Sequence, residues 1–161
     1  MITLLPMPEG EFPSFEAECT AAYAHDNIRA GRWPQSSGLA RAREEFRRLL
    51  PDGLNSPNHF IYSIHDPEQG QTVGFLWFAE FEARGARTGH VYSIHIEPEH
   101  RGRGHAKAAI DLIEAQGLAR GLINISLHVF SHNAAAQALY RSLGYGITGF
   151  NMIKPLRGDE A

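Results

Sequence analysis

His90 to Ala106 reads H-V-Y-S-I-H-I-E-P-E-H-R-G-R-G-H-A, and this stretch decides the fold. A run of strand-forming residues breaks at Pro98, passes through Arg101-Gly102-Arg103-Gly104 and opens directly onto a helix-patterned segment. A pyrophosphate site needs that order of parts. Glycines let the backbone approach an anion closely, and the first N–H groups of a helix have no intrahelical partner. The helix dipole adds partial positive charge at the same end. Two arginines within the loop bring full charges and forked donors suited to phosphate oxygens. The same residues also suit an ordinary polar connection, with glycines for turning and arginines for solubility.

Two familiar phosphate loops do not fit. No Gly-Lys-Ser/Thr follows the glycines, and G-x-G-x-x-G fails because Lys107 stands where the third glycine belongs. A nucleoside triphosphate or adenine dinucleotide is therefore a poorer match than another pyrophosphate-bearing ligand. The formal charge of −3 argues against bulk nucleic-acid binding, which leaves a basic footprint. Cys19 is the lone cysteine, so neither an internal disulfide nor a multi-cysteine metal site is expected. It reads as core filler in a helix pattern. The nine histidines show no metalloprotease spacing, and no metal is expected. No segment approaches the roughly 18 apolar residues of a membrane span, and no signal-like leader is seen, so a cytoplasmic protein without membrane partners is expected.

Outward from the loop, hydrophobic periodicity marks the elements. Before it lie three strand candidates, His59 to His65, Val73 to Phe81 and Thr88 to Ile96, joined by turns with Gly70 and Gly85 and cheapest as an antiparallel meander. Earlier still come a strand over Ile2 to Met7, a helix to about Arg29 and a second helix from about Ser37. After the loop, Ala106, Ala109, Ile110, Ile113 and Gly117 line one helix face. A strand follows over Ile123 to Val129, then a helix capped by Asn133 and closed by Gly144, then a strand over Ile147 to Lys154. A single domain over 1–161 is expected, α/β in class, with a mixed but largely antiparallel sheet of six to seven strands and about four helices.

Two motifs sit in this order with a strand between them. Arg101, Gly104 and Ala106 match R/Q-x-x-G-x-G/A, and Asn133, Ala136, Leu139, Tyr140, Leu143, Gly144 and Tyr145 match N-x-x-A-x-x-L-Y-x-x-L-G-F/Y. The chain thereby resembles the GNAT superfamily of N-acetyltransferases, closely over its last 65 to 80 residues and by element order before that. The resemblance implies acetyl-coenzyme A as donor, bound by residues 71–161, with residues 1–70 shaping the acceptor site. Its pyrophosphate would lie on Arg101, Gly102, Arg103, Gly104, His105 and Ala106, and its pantetheine arm beside the backbone of Ile94, His95 and Ile96. Asn133 and Tyr140 complete the implied cofactor contacts, with Tyr140 as the acid that protonates the leaving thiolate.

Acyl transfer to an amine also needs a base. His90 or Glu97 is the candidate, with Glu80 on the preceding strand another. If the strand is regular, His90 shares a face with Tyr92, Ile94 and Ile96. Trp33 and Trp77 are candidates for the acceptor pocket, and a second copy of the chain is a candidate partner. The functional alternatives are a non-catalytic acyl-coenzyme A-binding regulatory domain and a nucleotide-binding module.

Overall fold

The computed structural model describes residues 1–157; the expected domain span of 1–161 therefore runs past the described residues. In chain order the elements are β1 (Thr3–Pro6), α1 (Phe12–Arg29), α2 (Gly38–Leu49), β2 (His59–Asp66), β3 (Gln71–Ala83), β4 (Ala86–Ile96), α3 (His105–Ala119), β5 (Ile125–Leu127) and α4 (Ala134–Ser142). The class is mixed α/β, as the sequence pattern requires. Two compact units divide the chain: Met1–Pro13 with Asp52–His128, and Ser14–Pro51 with the chain from Val129 onward.

The first unit carries the whole sheet, in the order β1-β2-β3-β4-β5. The first three pairings are antiparallel and the last, β4 with β5, is parallel through the α3 crossover. Ala83 pairs with Ala86, leaving Arg84 and Gly85 as a two-residue turn. Both have positive φ, 53° and 78°, the mirror-image geometry that follows the strand twist. The centre of β3, from Val73 to Glu80, is buried without a break. Tyr62 on β2 donates to Gln116 of α3 at 3.3 Å, and Glu80 on β3 meets Arg120 just beyond α3 at 3.0 Å. These contacts place α3 on the sheet face that carries Tyr62, Leu76 and Glu80. Ile110 and Ile113 of α3 are fully buried.

In the second unit Phe15 of α1 meets Phe46 of α2 with ring centres 5.7 Å apart, and Ala42, one helical turn before Phe46, is buried too. Gly38 opens α2 where a Cβ would lie 2.5 Å from Cδ1 of Ile28, so a larger residue there requires the Ile28 side chain to shift. α4 is capped by Asn133, whose side-chain oxygen accepts from the backbone N–H of Ala136 at 3.2 Å.

The sheet has five strands among the described residues, where six to seven were expected. The difference lies at Ile147–Lys154, which has strand-like composition but forms no strand here. A strand exists only through a ladder to a neighbour. β5 is also shorter than its sequence pattern, although bonds from Ile123 N–H to Arg87 O and from Gly89 N–H to Asn124 O, at 3.0 and 2.9 Å, extend its pairing backwards. Among the described residues no helix is long and apolar enough to cross a membrane.

Candidate acetyl-transfer site

β4 ends where the loop begins, and two features shape that end. The first is Gly74 on β3, where an added Cβ would lie 2.0 Å from the carbonyl oxygen of His95, so β3 presses against β4 more closely than any side chain allows. The second is a bulge. Trp77 pairs with Ser93 but its neighbour Phe78 pairs with Val91, so Tyr92 is an extra residue on β4.

The bulge overturns the regular-strand expectation for His90. Paired residues share a face, and His90 pairs with Ala79, on the Trp77 face together with Ser93 and His95. Ile94 and Ile96 pair with Leu76 and Gly74 and lie on the α3 face instead. One extra residue inverts the alternation of everything beyond it. On the face opposite α3, Tyr92 stacks on Trp77 with ring centres 4.7 Å apart and meets His90 edge-on at 4.6 Å. The indole N–H of Trp77 donates to Nδ1 of His59 at 2.9 Å. His90 Nδ1 lies 2.8 Å from the Ser126 hydroxyl. Burial, reinforced by nearby His128, holds the His90 pKa below its ordinary 6.5, and burial does the same for His59. His90 is therefore a neutral imidazole at pH 7, able to accept a proton.

The other base candidates are engaged differently. Glu80 is buried and gripped by Arg87 at 2.7 Å and Arg120 at 3.0 Å, so its carboxylate is already the anion of two ion pairs. Glu97 is half-exposed, with Oε1 3.5 Å from His95 Nε2, and the His95 ring stacks on Phe75.

β5 accompanies β4 only from Gly89 to Val91, and β4 runs on past it to Ile96. The chain then makes a 3₁₀ turn over Pro98–His100, and Arg101 Nε donates back to the Ile96 carbonyl at 2.8 Å, fastening the loop to the strand end. Gly102 and Gly104 follow at φ +76° and +80°, values that L side chains rarely adopt. Nothing lies within 4 Å of where their Cβ atoms would be, so open space faces both. Gly104 is the N-cap of α3. The first helical bond runs from Ala108 N–H to Gly104 O at 3.0 Å, which places the amides of His105, Ala106 and Lys107 ahead of the intrahelical ladder. The helix start has no side-chain cap and no acidic residue in its first turn. The His105 side chain turns away, with Nε2 3.8 Å from Asp66 Oδ2, so that residue offers the loop its backbone rather than its ring.

In the second unit the Tyr140 ring is buried and meets Tyr145 at 5.8 Å. Burial raises the pKa of its hydroxyl, which makes no hydrogen bond within the described residues. Trp33 packs edge-on against Tyr23. A pair that sequence reading did not single out is Asp26 with His132, 2.8 Å apart and 106 residues apart in the chain, a separation that leaves no local signal. Among the described residues no three His, Cys, Asp or Glu side chains converge to hold a metal ion.

Residues 22–145 match the model of the acetyltransferase (GNAT) family. The chain belongs to that family. This GNAT enzyme is 30% identical to the N-acetyltransferase YdgE of Bacillus subtilis, over 96% of its own length and 98% of the relative's. It superposes on the crystal structure of the acetyltransferase YycN from B. subtilis with a TM-score of 0.90 at 32% identity, covering 98% and 99% of the two chains. A mycothiol acetyltransferase of Beutenbergia cavernae is 30% identical over 144 residues, 87% of this chain and 46% of that protein. Relatives named as N-acetyltransferases over nearly the whole length, with the matching fold, establish the GNAT chain as an acetyltransferase.

Proposed function

We propose that the enzyme moves an acetyl group from acetyl-coenzyme A to an amine, either a small molecule or a peptide or protein amine, by direct attack in a ternary complex. The observation that carries the reading is the loop. Two left-handed glycines facing open space lead into an uncapped helix start at the end of β4, beyond the point where β5 has stopped. A doubly charged pyrophosphate fits that cradle through the backbone amides of Gly104, His105 and Ala106, with Arg103 adding charge. The pantetheine amides would run beside Ile94 to Ile96. Asn133 spends only its oxygen on the α4 cap, leaving its NH2 group for the ligand.

In the reaction the amine nitrogen attacks the thioester carbonyl, a C–N bond forms and the C–S bond breaks. We assign the amine proton to His90 and the proton taken up by the departing sulfur to Tyr140. The half-buried, neutral His90 beside the Trp77–Tyr92 pair supports the first assignment, and that aromatic surface suits the acceptor. The family motif and the unengaged hydroxyl support the second.

Thermal unfolding with acetyl-coenzyme A, coenzyme A, ATP and NAD in parallel tests the donor. At about 100 times the dissociation constant a ligand stabilises by roughly 2.7 kcal/mol, an expected rise of about 5 to 10 °C for a chain of this size. Both coenzyme A species should give it and ATP and NAD should not; the reverse pattern would remove the assignment. Stabilisation without amine-dependent thiol release would instead mark a regulatory acyl-coenzyme A-binding domain.

The base has its own signature. With His90 held below 6.5 in the free enzyme, kcat/KM should be flat near neutrality and fall as pH drops through the depressed value, where the imidazole takes a proton. His90→Gln should lower kcat by at least about 100-fold and abolish that limb. A His90→Gln profile that superposes on the wild type sinks the assignment.

A further inference from the structure

Tyr23 and Asp26 stand three residues apart on α1, so their side chains are neighbours on one helix face. Beyond the end of that helix the backbone N–H groups of Arg32 and Trp33 donate back to the Asn27 carbonyl at 2.9 and 3.4 Å. That turn sets the Trp33 ring edge-on against Tyr23, with ring centres 5.3 Å apart. From the stretch before α4, Phe130 meets Tyr23 at 6.4 Å and stacks on His132 at 5.5 Å. His132 Nε2 closes the group on Asp26 Oδ1 at 2.8 Å. All five residues belong to the second compact unit, and all are half-buried rather than sunk in the core.

The polar groups of this cluster are only partly spent. A carboxylate can only accept, so the contact to Asp26 fixes the proton of a neutral His132 on Nε2 and leaves Nδ1 with a lone pair. Among the described residues Asp26 Oδ2, His132 Nδ1 and the Tyr23 hydroxyl have no hydrogen-bond partner. Arg29, at i+3 from Asp26, makes no ion pair with it there. A neutral imidazole holds the carboxylate in place without cancelling its charge. Three acceptors, one of them charged, beside the rings of Tyr23, Trp33 and Phe130 are the partners that an ammonium group, with three N–H donors and an affinity for aromatic faces, calls for.

The same unit carries Tyr140, and His132 directly precedes Asn133, the cap of the helix on which Tyr140 stands. We infer that Asp26 is a specificity-determining residue that holds a second, unreacting ammonium group of the acceptor, so that the acceptor is a small dibasic amine. The inference rests on the acetyl-transfer reading for its first nitrogen; the second nitrogen is bound and left unchanged.

The test compares α,ω-diaminoalkanes of about three to eight carbons with 1-aminoalkanes of the same lengths, by thiol release from acetyl-coenzyme A. One or more diamines should exceed the matching monoamine at least about 30-fold in kcat/KM, and Asp26→Asn, which is isosteric, should cut that preference at least about tenfold, chiefly through KM. A preference that survives Asp26→Asn, or no diamine better than its monoamine, overturns the inference. So does an equal fall in kcat for both amine classes, which would make the Asp26–His132 pair a proton-transfer device. Calorimetric titration of the full chain with the same diamines, coenzyme A present, reads the site without turnover. If no amine releases thiol, the acetyl-transfer reading fails by itself. Heat of binding in the wild type that Asp26→Asn abolishes then still upholds the ammonium site, and no heat in either removes it.

Discussion

Tyr140→Phe should lower kcat about 100-fold while changing the unfolding midpoint by no more than about 2 °C. General acid catalysis contributes on the order of 10²- to 10⁴-fold. The low end applies here because a thiol, with a pKa near 8.5, leaves far more readily than an amine or alkoxide. Burial raises the Tyr140 pKa above 10, so the proton stays on oxygen through the neutral range and is present whenever the thioester opens. The small stability change follows from the same site. The hydroxyl has no protein acceptor among the described residues, so its removal strands no partner, and the ring that fills the core is kept. Steady-state kinetics with saturating donor and a differential melt read both quantities. A variant that keeps full kcat would return Tyr140 to the role its helix stripe suggests, a core aromatic.

The second large effect is expected from a single methyl group. Gly74→Ala puts a Cβ 2.0 Å from the His95 carbonyl oxygen and 3.0 Å from its carbon and from the Ile96 Cα. These are backbone atoms of a paired strand, which cannot rotate aside as a side-chain end can. Either β3 and β4 part or the pairing fails. The cost should reach about 3 kcal/mol, the upper end for overpacking, equivalent to a midpoint about 6 to 12 °C lower. The damage falls on the residues that lead into the loop, so the midpoint rise given by coenzyme A should shrink with it. Gly10→Ala is the control, since nothing lies within 4 Å of its Cβ. Equal melting of the two variants would show that β3 and β4 tolerate the group.

These sites differ in how far the sequence alone reveals them. The loop is local chemistry, and glycines, arginines and a helix start within six residues announce their conformation through steric and dipolar rules that need no distant partner. β2, β3 and β4 emerge within about two residues of their actual bounds because alternation and turn residues are local too. The Tyr92 bulge has no such mark. It is a property of two strands in register, and with it went the face on which His90 stands. The roles of individual polar groups were equally hidden: Arg101 ties down Ile96, His105 turns to Asp66, and Asp26 finds His132 across most of the chain. Ile147–Lys154 failed for the complementary reason, since its residues favour a strand but pairing needs an edge the composition cannot supply.

The hydrogen bond from Trp77 to His59 gives the protein an optical handle. The chain has two tryptophans, and they fall one to each compact unit, Trp33 in the second and Trp77 in the first. With Trp33→Phe, the emission of the remaining indole comes from the face that carries His90. Its N–H is bound to a ring nitrogen that can serve as acceptor only while that nitrogen is unprotonated. The colour and intensity of one fluorophore thus carry the charge state of a neighbouring histidine. The reciprocal variant, Trp77→Phe, turns the same lamp on the other unit, so the two can be watched separately as the chain unfolds.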